Sequence, residues 1–472
     1  MFRNPSNQKT SNGIGLNTVL LGSAVLGAVG VIGFSIFKKN QQAKSRFATQ
    51  LKDYHELHYG KFDLSKLVVK QLSWLPETVI HTSDSNAKLS SSDKFNIEVK
   101  RALSRWNNLK LLQEGNQTAY RNFVLKQPES EKLNFATFQI ISQLIKNLSP
   151  SAYEAVTASC FITMTDKAKR FAREEGIAYS EDSEKFLTDT ITKCPSIYPL
   201  WDEISSGAKA LMPYVFLKDT HARHMLYTEG GNNMFAVLKE GIKNRQISKE
   251  QYEVWFCRWL INIVGFRGHV EPAGSIYFTQ NTADCLMDLK NELDKLWINS
   301  DYDVMEGYLK KRAERLKVKS LFLSHLASQM RLYSPEEGAE LQKWFDGIGE
   351  EMRSKYEAEF RQFCEQTKIT STYGPAVLDT LRDLGCSIAE RAEIYSLIRS
   401  STVATYQQAI ESGKVKSDTP LCFRSMALKA NLQQIIEQYR AGKISSEDFS
   451  IKSDGDIQLD TKHKLEIRMK KQ

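Results

Sequence analysis

The hydrophobic pattern separates one apolar stretch near the start of the chain from a long remainder in which apolar and polar positions recur regularly. No residue between Gly13 and Phe37 is charged, and from Val19 onward almost every position is apolar or small. About 20 such residues in a helix span the roughly 30 Å hydrocarbon core of a bilayer. A cleaved signal peptide would be shorter, and a buried core helix would be less uniformly apolar. The pattern therefore predicts a single transmembrane helix over residues 13–37, whose partner is the lipid bilayer.

The apolar residues of the remainder recur with the period of an amphipathic helix. Phe95, Val99, Leu103 and Trp106 follow one another at spacings of three and four, as one buried helix face requires. Similar patterns continue toward the end of the chain, separated by turns rich in glycine, proline and serine. The fold class that we predict is therefore mainly α, with the transmembrane helix followed by a multi-helix soluble body.

Capping residues mark where several of these helices begin. Ser248 with Gln251, and Ser387 with Glu390, have the spacing of a capping box. Ser334 is followed by proline and two acidic residues, which is typical of a first helical turn. These positions predict helix starts at 249, 335 and 388.

Two segments have the alternation of β-strands. Residues 66–81 are rich in β-branched side chains and contain Pro76, which disfavours a helix. Near the end, Phe449 and Ile451 alternate with polar residues before an Asp-Gly turn at Gly455. We predict a small β element near residues 66–81 and another near 449–470, with a disordered basic tail as the alternative for the second.

These patterns define an order of segments along the chain. They predict a disordered N-terminus over residues 1–12, the anchor over 13–37, a juxtamembrane stalk and linker over 38–92, a central helical domain over 93–300, a C-terminal helical domain over 301–443, and a basic tail over 444–472 that is either a β-hairpin or disordered.

Charge gives the anchor a direction. Two basic residues precede the apolar stretch, and a larger group follows it: Lys38, Lys39, Lys44, Arg46 and Lys52. Basic flanks stay on the cytoplasmic side, so we expect a single-pass membrane protein whose body faces the cytoplasm. The seven cysteines are widely spaced and include no C-x-x-C pair, which agrees with a reducing compartment.

The same composition restricts the partners. The net charge is +8, but the basic residues are scattered and form no stripe with interleaved aromatics, so we expect no nucleic acid partner. Ser23 and Gly27 are four residues apart and would let a second helix approach, which predicts weak dimerisation in the membrane. Glycine is also common in membrane helices in general, so this spacing has an ordinary alternative explanation.

The candidate chemistry is concentrated between residues 219 and 284. His221 and His224 would share a helix face and are the candidate ligands of a divalent metal. Glu229 and His269 are the candidate catalytic residues, and Arg223 and Arg267 are the candidate anion-binding residues of a cofactor or substrate site. The alternative is that these side chains are structural, since H-x-x-H pairs arise often by chance and no zinc-protease or P-loop motif is present.

The sequence therefore supports two hypotheses about function. The first is a membrane-anchored, cytoplasm-facing helical interaction or scaffold protein with a protein partner, because many amphipathic helices occur without a catalytic motif. The second is a membrane-anchored helical enzyme, either a metal-dependent hydrolase or a phosphate- or nucleotide-transfer enzyme, with its site within residues 219–284. The residues leave open whether the chain is an enzyme, and they identify no family.

Overall fold

The structure is a computed structural model of the chain. It describes residues 49, 51–54, 56–57, 72, 97–163, 176–177, 183–217, 220–365, 371–416, 419, 421–442 and 449–459. Within these ranges no helix has both the length and the apolar character needed to cross a bilayer. The predicted anchor over residues 13–37 and the predicted disordered residues 1–12 lie outside the described residues. The predicted β element at 66–81 also lies outside them, apart from Leu72.

The chain divides into two compact units, Met1–Ser73 and Trp74–Gln472. The second unit contains every helix and strand named below. It is mainly helical, as the hydrophobic period predicts. The division of the helical body at residue 300 stays a prediction.

The helices and strands of the second unit are numbered here in chain order. The α-helices are α1 Ile97–Glu114, α2 Gln117–Phe123, α3 Phe135–Lys146, α4 Pro150–Ile162, α5 Ser183–Lys193, α6 Ser206–Val215, α7 Ala222–Leu226, α8 Asn233–Lys243, α9 Lys249–Val264, α10 Gln280–Leu293, α11 Asp301–Leu316, α12 Leu321–Met330, α13 Pro335–Gly347, α14 Glu350–Glu365, α15 Gly374–Asp383, α16 Ile388–Glu411 and α17 Lys429–Arg440. The strands are β1 Ser371–Thr372, β2 Leu421–Cys422, β3 Phe449–Ile451 and β4 Ile457–Leu459.

The predicted helix starts are confirmed by their capping geometry. Ser248, Ser334 and Ser387 each accept a hydrogen bond from the backbone N–H three residues later, and the side chain at that later position bonds back to the cap. Each box satisfies two backbone donors that the first turn of a helix leaves without partners. Helices α9, α13 and α16 therefore begin where the sequence predicts.

Helix α9 forms the centre of the first half of the unit. It packs against α1, α4, α6 and α7, and over residues 252–264 its side chains are buried or half-buried around the whole helix, with Trp255, Phe256 and Trp259 buried. A helix surrounded in this way needs apolar residues around its whole circumference. The apolar run of α9 supplies them, and α7 packs on this buried helix.

The second half of the unit is built on α11, α12 and α16, and strand β3 packs against α16. Helices α11 and α12 pack against each other, and α16 packs against α13, α15 and β3. Strand β1 pairs in parallel with β2. The predicted hairpin is formed by β3 and β4, which pair in antiparallel register, and Gly455 in its turn has a φ of 84°, a conformation that favours glycine.

Candidate functional site

Helix α7 carries three of the predicted site residues. It is 5 residues long, with His221 at its N-cap and Arg223 and His224 in its first turn. Just before it, the Thr220 hydroxyl accepts a 3.0 Å hydrogen bond from the indole N–H of Trp255. Helix α7 also packs against α9 and α10. Isolated helices of this length are unstable in water. The contacts with α9 and α10 therefore stabilise α7.

The two histidine rings stack on each other, and the ring of His221 also contacts a tryptophan. The ring centroids of His221 and His224 are 4.0 Å apart, and those of His221 and Trp259 are 3.3 Å apart. Burial is the main cause that lowers the pKa of both imidazoles, and that of His221 falls well below its ordinary value. Both rings are therefore neutral at neutral pH.

The stacked arrangement bears on the predicted metal site. An imidazole binds a metal along a lone pair in its ring plane, and the planes of these two rings are inclined by only 29°. Rings stacked in this way direct their lone pairs side by side rather than at a common ion. No group of three or more His, Cys, Asp or Glu side chains that could hold a metal occurs among the described residues. A metal held by His221 and His224 stays a prediction.

Glu229 links the α7 segment to the second half of the unit. One of its carboxylate oxygens accepts the backbone N–H of Tyr373, and its backbone carbonyl accepts the hydroxyl of Ser371 at 2.6 Å. The other carboxylate oxygen lies 3.4 Å from Nδ1 of His224, and the Glu229 side chain is 7% exposed. The carboxylate therefore has a structural partner on one side and an imidazole on the other.

A third histidine, His325, is fully buried and contacts this segment through Thr228. Nε2 of His325 faces the guanidinium of Arg399 at 3.1 Å and the amide nitrogen of Gln329 at 3.1 Å. Because a guanidinium can only donate, Nε2 accepts and Nδ1 carries the proton, which it donates to the hydroxyl of Thr228 at 2.8 Å. Burial, helped by the charge of Arg399, keeps the pKa of His325 well below its ordinary value. We call His325, Thr228, Gln329 and Arg399 the His325 network.

The loop after α9 is fixed against α1 by two glycines. A Cβ on Gly265 would lie 2.9 Å from the backbone nitrogen of Arg105, and a Cβ on Gly268 would overlap the side chain of Ser104. The loop is also turned on itself, since the N–H of Gly268 donates to the carbonyl of Gly265 at 3.1 Å. Residues 265–268 can approach α1 this closely only because two of their positions lack side chains.

This approach brings the loop residues beside basic side chains of α1 and α7. The guanidinium carbon of Arg223 lies 4.4 Å from the ring centroid of Phe266, and that of Arg101 lies 5.7 Å from the same centroid. Arg101 also donates to Nδ1 of His269 at 3.1 Å and to the carboxylate of Glu98 at 2.6 Å. Cation–π contacts of this kind favour arginine over the face of the ring.

The structure therefore sorts the predicted site residues into two neighbouring groups. His221, His224 and Glu229 form the first. Arg223 and His269 belong to the second, which is organised around Phe266, while the side chain of Arg267 in the same loop is exposed. The catalytic pair proposed from the sequence, Glu229 and His269, is divided between the two groups.

Sequence reasoning missed Arg101, Trp259 and Tyr373. Arg101 lies 168 residues from His269, and Tyr373 lies 144 residues from Glu229. The only local signal was the glycine pair of the 265–268 loop, because two glycines beside a buried helix indicate a close backbone approach.

Comparisons of the chain with protein-family models, with curated proteins and with solved structures find no match.

Proposed function

We propose that the chain is a membrane-tethered, mainly helical interaction protein whose body faces the cytoplasm. The apolar stretch over residues 13–37 and the basic residues that follow it support the tether and its direction. The helical body, which has no catalytic motif, supports a role in binding rather than in chemistry.

One observation carries this proposal: the predicted catalytic carboxylate is a structural link. Glu229 is buried, and it accepts the backbone N–H of Tyr373 while its carbonyl accepts the hydroxyl of Ser371. A general base needs reach to a substrate proton. The oxygen that bonds Tyr373 is already used to join two parts of the unit, which favours an interaction protein over an enzyme centred on Glu229.

The proposal is tested on the full chain with a C-terminal tag, expressed in cells. We expect the chain to resist alkaline carbonate extraction, and the tag to meet added protease only after the plasma membrane is opened. After crosslinking, the mild-detergent extract should contain a species heavier than the 53.9 kDa chain that includes a different protein.

The matched control replaces Leu26 and Val29 by arginine, within the apolar stretch. Each central arginine costs about 2.5–3.5 kcal/mol on insertion scales, so this variant should be released by carbonate. Release of the unaltered chain by carbonate, or a chain that never crosslinks to another protein, would contradict the proposal.

A second candidate function, a membrane-anchored enzyme, is supported by the His224–Glu229 pair. A neutral imidazole 3.4 Å from a carboxylate resembles a general base and the group that orients it. The predicted metal would make it a hydrolase, and an anion held by Arg223 and Arg267 would make it a phosphate- or nucleotide-transfer enzyme. Metal analysis of the purified chain, with and without His221→Ala and His224→Ala, tests the first form.

A further inference from the structure

A basic surface with an aromatic centre lies at the junction of α1, α7 and the loop after α9. We call it the Phe266 surface and define it by Arg101, Arg223, Phe266, Arg267 and His269. Two guanidinium groups lie within 4.4 and 5.7 Å of the Phe266 ring centroid, so they are separated by no more than the sum of these distances. Both guanidinium groups therefore lie beside the same aromatic ring.

The charge of this surface is positive. The guanidinium of Arg101 is paired with Glu98, which is 4% exposed, so this pair adds no net charge. Within the part of the chain that the structure describes, neither Arg223 nor Arg267 forms an ion pair with a carboxylate. The nearest acidic residue along the loop, Glu271, accepts the backbone N–H of Ala273 at 3.0 Å. Among the described residues these two guanidinium groups have no carboxylate partner, and Glu271 offsets only one of the two positive charges.

The surface is also rigid before any ligand binds. Gly265 and Gly268 fix the loop against α1, and Arg101 holds the ring of His269 through a 3.1 Å hydrogen bond. The Phe266 ring contacts Tyr277 at a centroid distance of 5.2 Å. A surface already held in its bound arrangement loses little conformational entropy on binding.

The partial burial of Arg223 favours an extended peptide segment over a flat bilayer as the ligand of this surface. Arg223, Phe266 and His269 are half-buried, whereas Arg267 and Val270 are exposed, with Val270 at 55%. A side chain from an extended segment can enter to reach Arg223, while a neighbouring apolar side chain covers Val270. A flat bilayer contacts fully exposed side chains most readily, and Arg223 is half-buried.

We propose that the Phe266 surface binds an acidic segment of a protein partner, with separate carboxylate or phosphate groups of that segment paired with Arg223 and with Arg267 and an apolar neighbour packed on Val270. Arginine pairs with both anions in the same planar geometry. This inference rests on the proposed function, because it names the chemistry of the partner that the interaction protein would take.

The test measures binding to the full chain in mild detergent by fluorescence anisotropy. The probe is a short fluorescein-labelled peptide of alternating glutamate and valine. Two further peptides replace glutamate by phosphoserine or by lysine, and vesicles of phosphatidylserine compete with each. We expect the two acidic peptides to bind and the lysine peptide to fail. The better acidic peptide identifies the anion.

Charge-reversing variants locate the binding. R223E/R267E should weaken binding of the acidic peptide at least about tenfold, since it removes two charge-assisted pairs. The matched control R121E/R361E changes net charge equally at two exposed arginines elsewhere, and it should stay within about twofold of the unaltered chain. Because Arg223 contacts Phe266, circular dichroism checks the fold, and the single variant R267E, at an exposed position, gives a second, smaller loss.

Four outcomes would overturn the proposal. The control could lose affinity as much as R223E/R267E, which would mean non-specific attraction. The lysine peptide could bind as tightly as the acidic ones. The vesicles could bind through Arg223 and Arg267 while the peptides do not, which would make lipid the ligand. A chain that crosslinks to a protein partner yet ignores every acidic peptide would keep the proposed function and reject only this surface.

Discussion

The His325 network and the Phe266 surface both contact residues 221–229, and they use similar residue types in different ways. In the network, both ring nitrogens of His325 have partners and the side chain is fully buried. At the surface, Arg223 stacks on Phe266 with no carboxylate partner among the described residues, and Arg267 is exposed. The imidazole in the first region is used entirely within the protein, whereas the two guanidinium groups in the second region can still bind a ligand.

This difference between a buried network and a surface cluster indicates where a ligand can bind in a chain that has no catalytic motif. Buried polar groups must find partners inside the protein, because an unsatisfied one costs about 1–3 kcal/mol. Both ring nitrogens of His325 are used inside the protein, so this imidazole has neither a lone pair nor an N–H left for a substrate. Charged groups that stay at the surface beside an aromatic ring keep their capacity to bind, so Arg223 and Arg267 are better candidates than His325.

The largest effect is expected from His325→Leu. It removes the acceptor that faces the buried guanidinium of Arg399 and the donor to Thr228. We expect urea unfolding of the full chain to lose about 3 kcal/mol. The matched variant His269→Leu removes a half-buried imidazole and should lose about 1 kcal/mol. Equal losses of unfolding free energy in the two variants would contradict the claim that the His325 network is more tightly satisfied than the Phe266 surface.

The next effect tests how the loop is held. Gly268→Ala places a methyl group against the side chain of Ser104, and we expect a loss of about 2 kcal/mol in the free energy of unfolding. The control is Gly347→Ala, whose Cβ would meet nothing within 4 Å. If neither substitution changes the free energy of unfolding, the close packing of the loop against α1 is contradicted.

A smaller, graded effect comes from pH. Burial lowers the pKa of His221, His224 and His325, so the folded chain takes up fewer protons than the unfolded chain below about pH 6.5. Stability should therefore be full above that pH and fall as the pH decreases, by up to about 1.4 kcal/mol per pH unit for each histidine. Urea midpoints between neutral pH and about pH 5 measure this slope. His325→Leu should reduce it, and an unchanged slope in that variant would show that His325 does not titrate below its ordinary range.

The smallest stability effect is expected at the Phe266 surface. Arg267→Gln removes an exposed charge with no ion pair among the described residues, so unfolding should change by less than about 0.5 kcal/mol. Binding of the acidic peptide should nevertheless weaken. A variant that loses stability without losing affinity would place Arg267 in the structure rather than at a binding surface.

Local order could be predicted from the sequence, whereas most of the site could not. The capping boxes of Ser248 and Ser387 and the hairpin turn at Gly455 depend on neighbours within a few residues, and all three form as expected. The contact of Thr228 with His325 spans 97 residues, and no local pattern encodes it. The three glycines and the proline within residues 265–280 indicate a loop, but its position against α1 depends on which backbone its glycines approach.

The most direct measurement is arginine labelling of the full chain with phenylglyoxal, followed by mass spectrometry, with and without the glutamate–valine peptide. We predict that Arg267 and Arg223 react and are protected by the peptide, that exposed Arg121 reacts equally in both samples, and that Arg399 stays unlabelled until the chain unfolds. Labelling of Arg399 as fast as Arg267, or equal protection of Arg121 and Arg223, would contradict the division between a closed network and an open binding surface.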